Sequence, residues 1–148
     1  HFRGTDQAIA AQLAREKPAY KGNEHGEIIL IRIYDITPLG KPRQTQRDRW
    51  AKRPAVLRYR AFCDEVRLNQ IQLPDNGCHI TFVLPMPDSW SKKKRALFSG
   101  QPHQQRPDVD NLHKALMDAV FEEDSAVWDA RITKIWGEKG QIRIESIA

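Results

Sequence analysis

Residues 111–121 show the most regular hydrophobic pattern in the 148-residue chain. Apolar side chains recur there at spacings of three and four residues, which is the period of one face of an α-helix. The pattern predicts a helix whose other face brings Lys114 and Asp118, four residues apart, within reach of each other. Asp110 or Asn111 is predicted to cap its first turn. The predicted buried stripe consists of Leu112, Ala115, Leu116, Ala119 and Val120.

Alternating, β-branched segments lie on both sides of this helix, and each is typical of a strand. Because the first of them carries isoleucine on both faces, we expect it to be largely buried. Two further helices are predicted, over residues 55–69 and over residues 91–98. The predicted fold class is therefore α/β (α+β), with a mixed β-sheet of about four strands packed by helices. The predicted strands are residues 27–37, 78–85, 130–136 and 141–146.

The length of the chain predicts one main domain, which we place at residues 27–148. Residues 1–26 are predicted to be an N-terminal appendage, with a possible helix over residues 6–17 and a turn at residues 21–23. Cys63 and Cys78 are isolated, so we expect two reduced, buried thiols in a cytoplasmic protein. Neither a signal peptide nor an apolar run of membrane-spanning length is visible in the sequence.

A dense group of acidic residues surrounds the predicted helix. Six acids and one base lie between Asp108 and Asp124, a local charge of −5 in a chain whose net charge is +5. Asp108 and Asp110 are predicted to lie in a short extended segment, where residues two apart point the same way. Hard oxygen ligands on one side suit Mg²⁺ or Mn²⁺, and Asp124 or Glu123 is the candidate third ligand. Lys114 is then a candidate to neutralise charge on a phosphate.

The basic residues indicate a polyanionic partner, and the sequence pI is about 9.4. Two basic runs precede the acidic group, one after the first strand and one after the second. Such residues contact backbone phosphates, which fixes the position of DNA without reading its sequence. The candidate DNA-binding residues are Lys41, Arg43, Arg47, Arg49, Lys92, Lys93, Lys94 and Arg95.

A purely structural interpretation competes with this one. Two aspartates separated by one residue are a weak signal, because Asp110 and Asn111 would more often cap a helix. Lys114 and Asp118 would usually form a surface ion pair of little energetic value. The combination of features favours the functional hypothesis, because a helix separates two acidic clusters and two basic runs precede them.

Three stretches together resemble the RusA family of Holliday-junction resolvases in its phage-type form. Pro42-Arg43 begins the basic loop, and residues 86–96 read MPDSWSKKKRA and continue through Gly100-Gln101-Pro102-His103. The third stretch reads PDVDNLHKALMDA over residues 107–119 and is followed by Glu123-Asp124-Ser125-x-Val127. The resemblance covers roughly residues 28–148, and its acidic array is fairly specific when the second acidic pair follows.

The resemblance implies a Mg²⁺-dependent endonuclease, with Mn²⁺ as a substitute, acting in DNA recombination and repair. Members of the family act as homodimers that nick two opposed strands of a four-way DNA junction. The metal-binding acids of the family correspond to Asp108, Asp110 and Asp124, and its essential lysine corresponds to Lys114. Asp118 matches a recurrent acid of the motif. The family fold, a mixed sheet with helices, agrees with the order of predicted elements.

One departure bears on the third metal ligand. The family commonly has two aspartates where this chain has Glu123-Asp124, so Glu122, Glu123 and Asp124 are all candidates. Asp124 is preferred because Ser125 and Val127 follow it in the order of the family. An alternative function is a non-catalytic junction-binding or DNA-binding protein with a decayed metal site. A nuclease of the PD-(D/E)xK type ranks low, because no Asp/Glu-x-Lys follows Pro107-Asp108.

Overall fold

A computed structural model describes residues 19–42, 53–74 and 76–147. Five strands and three helices lie within these ranges. In chain order they are β1 (Ala19–Gly22), β2 (Ile28–Tyr34), α1 (Pro54–Leu68), β3 (Asn76–Pro85), α2 (Lys92–Phe98), α3 (Val109–Val120), β4 (Asp129–Gly137) and β5 (Gln141–Ile147). Among the described residues, no helix is both long enough and apolar enough to span a membrane.

The strands form one mixed sheet in the order β1-β2-β5-β3-β4. Only β3 and β4 are parallel, and the other neighbouring pairs are antiparallel. The α+β class with a mixed sheet is therefore confirmed. Strands β4 and β5 follow each other in sequence but are separated by β3, so their connection crosses from one side of β3 to the other.

The additional strand β1 lies in the stretch predicted as an appendage. Its residues, Ala19–Gly22, are all exposed and show no hydrophobic alternation, which explains why the sequence did not reveal it. The predicted turn also lies further along the chain, because the Asn23 side-chain oxygen accepts the amides of His25 at 3.0 Å and Glu27 at 2.8 Å. The helix predicted over residues 6–17 lies outside the described residues.

Helices α1 and α3 pack against one face of the sheet. The predicted stripe of α3 is confirmed, since Leu112, Ala115 and Leu116 are fully buried and Ala119 is nearly so. These side chains join the core with Phe62 and Val66 of α1 and with apolar side chains of the sheet. The sheet contributes Tyr34 from β2, Ile80, Phe82 and Leu84 from β3, and Ile142 and Ile144 from β5.

The prediction that the first strand is largely buried is wrong. Within β2 only Tyr34 is buried, while Ile28 and Ile33 are 57% and 42% exposed. The reason is the position of β2 in the sheet, because its outer neighbour is the short strand β1. Strand alternation also places Ile29, Ile31 and Ile33 on the face opposite to Tyr34 and the helices.

The C-terminal part of the free edge of β4, residues 134–136, is covered by the segment between α2 and α3. The amides of Gly100 and His103 donate to the carbonyls of Trp136 and Lys134, at 2.8 and 3.1 Å, and the Trp136 amide donates to Gln101 at 3.0 Å. Helix α2 begins as predicted, because the Ser91 hydroxyl accepts the Lys94 amide at 3.2 Å. Cys63 and Cys78 are free and buried, as predicted.

Candidate functional site

The two aspartates of the motif lie at the start of α3. Asp108 occupies the N-cap position with an extended backbone (φ −70°, ψ 148°), and its side chain makes no capping hydrogen bond. The helix begins at Val109, so Asp110 lies in its first turn, where a carboxylate interacts favourably with the helix dipole. The predicted extended segment containing both aspartates is therefore wrong. The cap predicted at Asp110 or Asn111 is wrong for the same reason.

A cleft of about 550 Å³ lies between the start of α3 and residues 38–40. Together with Lys41, these residues form a segment that we call the strap. The strap lies close to the helix at Gly40, where an added Cβ would come within 2.7 Å of the Asn111 Nδ2 atom. Strand β4 holds the segment that precedes α3, because the Lys134 ammonium donates to the carbonyls of Gln105 and, at 2.7 Å, Pro107. Asp108 lines this cleft. The other lining residues are Pro38, Leu39, Gly40, Arg106, Pro107 and Asn111.

Lys114 lies between two carboxylates on the outer face of α3. Its Nζ atom is 3.0 Å from Asp118 Oδ1, which confirms the predicted pairing, and 2.9 Å from Asp124 Oδ2. Hydrogen bonds to Asp124 and Asp118 raise the pKa of Lys114 above its usual value. Lys114 is thus a cation at neutral pH, and the loop after α3 brings Asp124 back to the middle of the helix.

A second lysine, predicted as a DNA contact, also reaches this group. Lys41 Nζ in the strap lies 2.6 Å from Asp118 Oδ2. Burial alone would raise the pKa of Asp118, but hydrogen bonds from Lys41 and Lys114 outweigh burial and lower it. Lys41 and Asp118 are 77 residues apart in sequence, so no local spacing pattern could have predicted this contact.

The three predicted metal ligands do not come together in the structure. Asp108 and Asp110 are exposed carboxylates, and oxygen donors of this kind suit Mg²⁺. Asp124, however, is engaged by Lys114. Among the described residues, no group of three His, Cys, Asp or Glu side chains is arranged to hold a metal ion. The donor chemistry of the aspartate pair fits a hard divalent cation. To act as a third ligand, the Asp124 carboxylate would have to leave Lys114 and bind the metal.

The basic residues of α2 differ in their contacts. Lys92, Lys93 and Lys94 are all exposed, but Lys94 Nζ lies over the Trp90 ring, 4.2 Å from its centroid. Arg95 is held by the Pro87 carbonyl at 2.8 Å and by Glu138 at 2.9 Å, so its guanidinium already has partners within the protein. Lys92 and Lys93 are therefore the residues of α2 best placed for a phosphate. The predicted contacts Arg43, Arg47 and Arg49 lie outside the described residues.

His113, which the sequence reasoning did not single out, is next to Lys114 on α3. Its Nε2 atom is buried and has no hydrogen-bond partner among the described residues. Burial lowers the pKa of His113, and Lys114 adds to this effect, while Asp124 opposes it. The ring is therefore neutral at neutral pH, so it adds no charge to the group formed by Lys114, Asp118 and Asp124.

Comparison with models of known protein families gives a match over most of the chain. The family model described as endodeoxyribonuclease RusA matches residues 35–146, which is most of the chain. The matched region contains the strap, α2, the whole of α3 and Asp124. No curated protein and no solved structure matches the chain.

Proposed function

Because the chain belongs to the endodeoxyribonuclease RusA family, we propose that it is a Mg²⁺-dependent endonuclease that resolves four-way DNA junctions. It would do so by paired, symmetric nicks, in DNA recombination and repair. The observation that carries this proposal is the family match, which includes every described acid and lysine of the candidate site. The position of Lys114 supports it, because this residue is a cation one turn along α3 from Asp110 and can stabilise negative charge on a phosphate.

The proposed metal ligands are Asp108, Asp110 and Asp124, with Mn²⁺ as an alternative ion. When bound, the metal would polarise a phosphoryl oxygen and increase the acidity of a water molecule. Lys114 would stabilise negative charge on the phosphate, since its ammonium projects from the exposed face of α3. The N-terminus of α3, beside the cleft, adds a favourable potential for a phosphate group.

DNA binding is assigned to exposed lysines of α2, and the proposed substrate is branched DNA. Lys92 and Lys93 would contact backbone phosphates, in agreement with the net charge of +5. Two symmetric cuts require two sites, so a homodimer with one site in each subunit is part of the proposal.

Cleavage of a synthetic four-way junction against a linear duplex, with and without Mg²⁺, tests the proposal. We expect nicks in opposed strands of the junction that require Mg²⁺. Asp108→Asn and Asp110→Asn should keep junction binding and abolish cleavage, because the amide keeps the shape of the side chain and removes its charge. Undiminished cleavage by either variant would refute the assigned metal ligands.

The same assay separates the alternative function. A non-catalytic DNA-binding protein would bind the junction and leave it intact at every Mg²⁺ concentration. The Lys114–Asp124 ion pair is the observation that favours this alternative, because it engages a candidate metal ligand. Binding without nicking by the unaltered protein would therefore decide for the alternative.

A further inference from the structure

We propose that Lys41 is a positioning residue for Lys114, acting through Asp118, and is not a contact to a DNA phosphate. This inference rests on the proposed function, in which Lys114 stabilises charge on the scissile phosphate. In this role, the strap holds the catalytic lysine, Lys114, in place.

The first argument is the way Asp118 is shared. Its two carboxylate oxygens are engaged by different ammonium groups, Oδ2 by Lys41 at 2.6 Å and Oδ1 by Lys114 at 3.0 Å. A carboxylate held at both oxygens cannot rotate without breaking one of these contacts. Lys41 thus fixes the orientation of Asp118, which would remain as the carboxylate partner of Lys114 once Asp124 binds the metal.

The second argument is the balance of charge. Lys41, Lys114, Asp118 and Asp124 together carry no net charge. Without Lys41, the charge of Asp118 would be compensated by Lys114 alone, which would weaken the attraction of Lys114 for a phosphate. The side chains of Asp118 and Asp124 are only 23% and 27% exposed, so solvent screens this effect incompletely.

The third argument is the attachment of the strap to α3. Gly40 lies against Asn111 so closely that a Cβ atom would be 2.7 Å from its Nδ2 atom. The next residue, Lys41, reaches Asp118, which lies two helical turns beyond Asn111 on α3. Two neighbouring strap residues therefore contact α3 at separate points, and the Lys41 ammonium would have to leave Asp118 to reach DNA.

The salt dependence of DNA binding distinguishes the two roles of Lys41. A lysine that contacts a phosphate releases a counterion, so its loss reduces the salt slope of binding by up to about 0.9 log unit. A positioning residue changes the rate of the chemical step and leaves that slope unaltered. Both quantities can be measured on the same junction, with binding measured in the absence of Mg²⁺.

The experiment compares Lys41→Gln, Lys41→Arg and Asp118→Asn by single-turnover cleavage with enzyme saturating the junction. We expect Lys41→Gln and Asp118→Asn to cleave roughly 10- to 100-fold more slowly, because the catalytic lysine is misplaced. Lys41→Arg keeps the charge and should restore most of the rate. The double variant Lys41→Gln/Asp118→Asn should be no slower than the slower single variant, since both residues act through one contact.

The matched control is Lys21→Gln. Lys21 pairs with Glu145 at 3.1 Å, and strand alternation places this pair on the sheet face opposite to the helices. Removal of the Lys21 ammonium should leave the cleavage rate unchanged. A wild-type cleavage rate for Lys41→Gln would overturn the inference. A Lys41→Gln variant with a reduced salt slope of junction binding and an unchanged cleavage rate at saturating enzyme would overturn it as well.

Two further outcomes remain informative. If Lys41→Gln fails to fold, Asp118→Asn and Lys41→Arg provide the same test. Equally large losses of cleavage rate in these two variants would overturn the inference. Failure of the unaltered protein to cleave would instead refute the proposed function, and is thereby distinguished from failure of the positioning role.

Discussion

Substitution of Gly140 by alanine tests how tightly the strap is connected to the sheet. This buried glycine lies just before β5, and a Cβ atom placed on it would be 2.5 Å from the Thr37 Cα atom and 2.7 Å from its Cβ, with a still closer contact to its hydroxyl. Carbon atoms in contact prefer about 3.5–4.0 Å, so Gly140→Ala requires a displacement of about 1 Å. Overpacking of this kind costs about 1–3 kcal/mol of the free energy of unfolding.

The displacement should also affect the site, because Thr37 immediately precedes the strap that carries Lys41. We therefore expect Gly140→Ala to lower the urea midpoint of unfolding and to slow single-turnover cleavage in the folded protein. The control is Gly22→Ala, since no atom lies within 4 Å of a Cβ at Gly22. A Gly140→Ala variant whose stability differs from that of the Gly22→Ala control by less than about 0.5 kcal/mol would refute the packing argument.

The remaining predictions concern ionisation and DNA affinity. The pKa of Asp118 is lowered on folding, so its charge stabilises the protein above its ordinary pKa near 3.8, and this contribution is lost as the pH falls through the folded-state pKa. The stability difference between wild type and Asp118→Asn should accordingly be largest at neutral pH and shrink below about pH 4, and a difference that stays constant from pH 7 to 3 would contradict it. Lys92→Ala/Lys93→Ala should weaken junction binding and reduce its salt slope by up to about 0.9 log unit per lost contact, whereas an unchanged slope would exclude these lysines as contacts.

Local patterns predicted the parts of the site that lie within one helix. The spacing of Leu112, Ala115 and Leu116 indicated which face of α3 is buried, and this left Lys114 and Asp118 together on another face. Such predictions succeed because helical geometry relates residues three and four apart without reference to the rest of the chain.

The start of α3 was predicted less well. Asp108 and Asp110 allow both an extended segment and a helix start, and their spacing alone does not distinguish these conformations. In the structure the helix begins between them, at Val109, so only Asp108 keeps an extended backbone. The sequence therefore identified the acids but not their relative orientation.

Long-range contacts were beyond the reach of the sequence pattern. The pairing of Lys41 with Asp118 depends on where the strap crosses α3, and the place of β1 depends on backbone pairing with β2. Lys41 was predicted to bind DNA because it belongs to a basic run, and only the fold reveals its carboxylate partner. Charge composition indicates a partner class, whereas the contacts of each residue decide its individual role.

The two edges of the sheet are protected against association with other strands in different ways. Along β4 the carbonyls of Lys134 and Trp136 and the Trp136 amide are already hydrogen-bonded, so a strand from another molecule would first have to displace residues 100–103. At the opposite edge, the exposed strand β1 is only four residues long, and short edge strands are poor templates for further pairing. Protection against edge-to-edge aggregation at the C-terminal part of β4 is thus provided by the same connection that leads from α2 to the aspartates of α3.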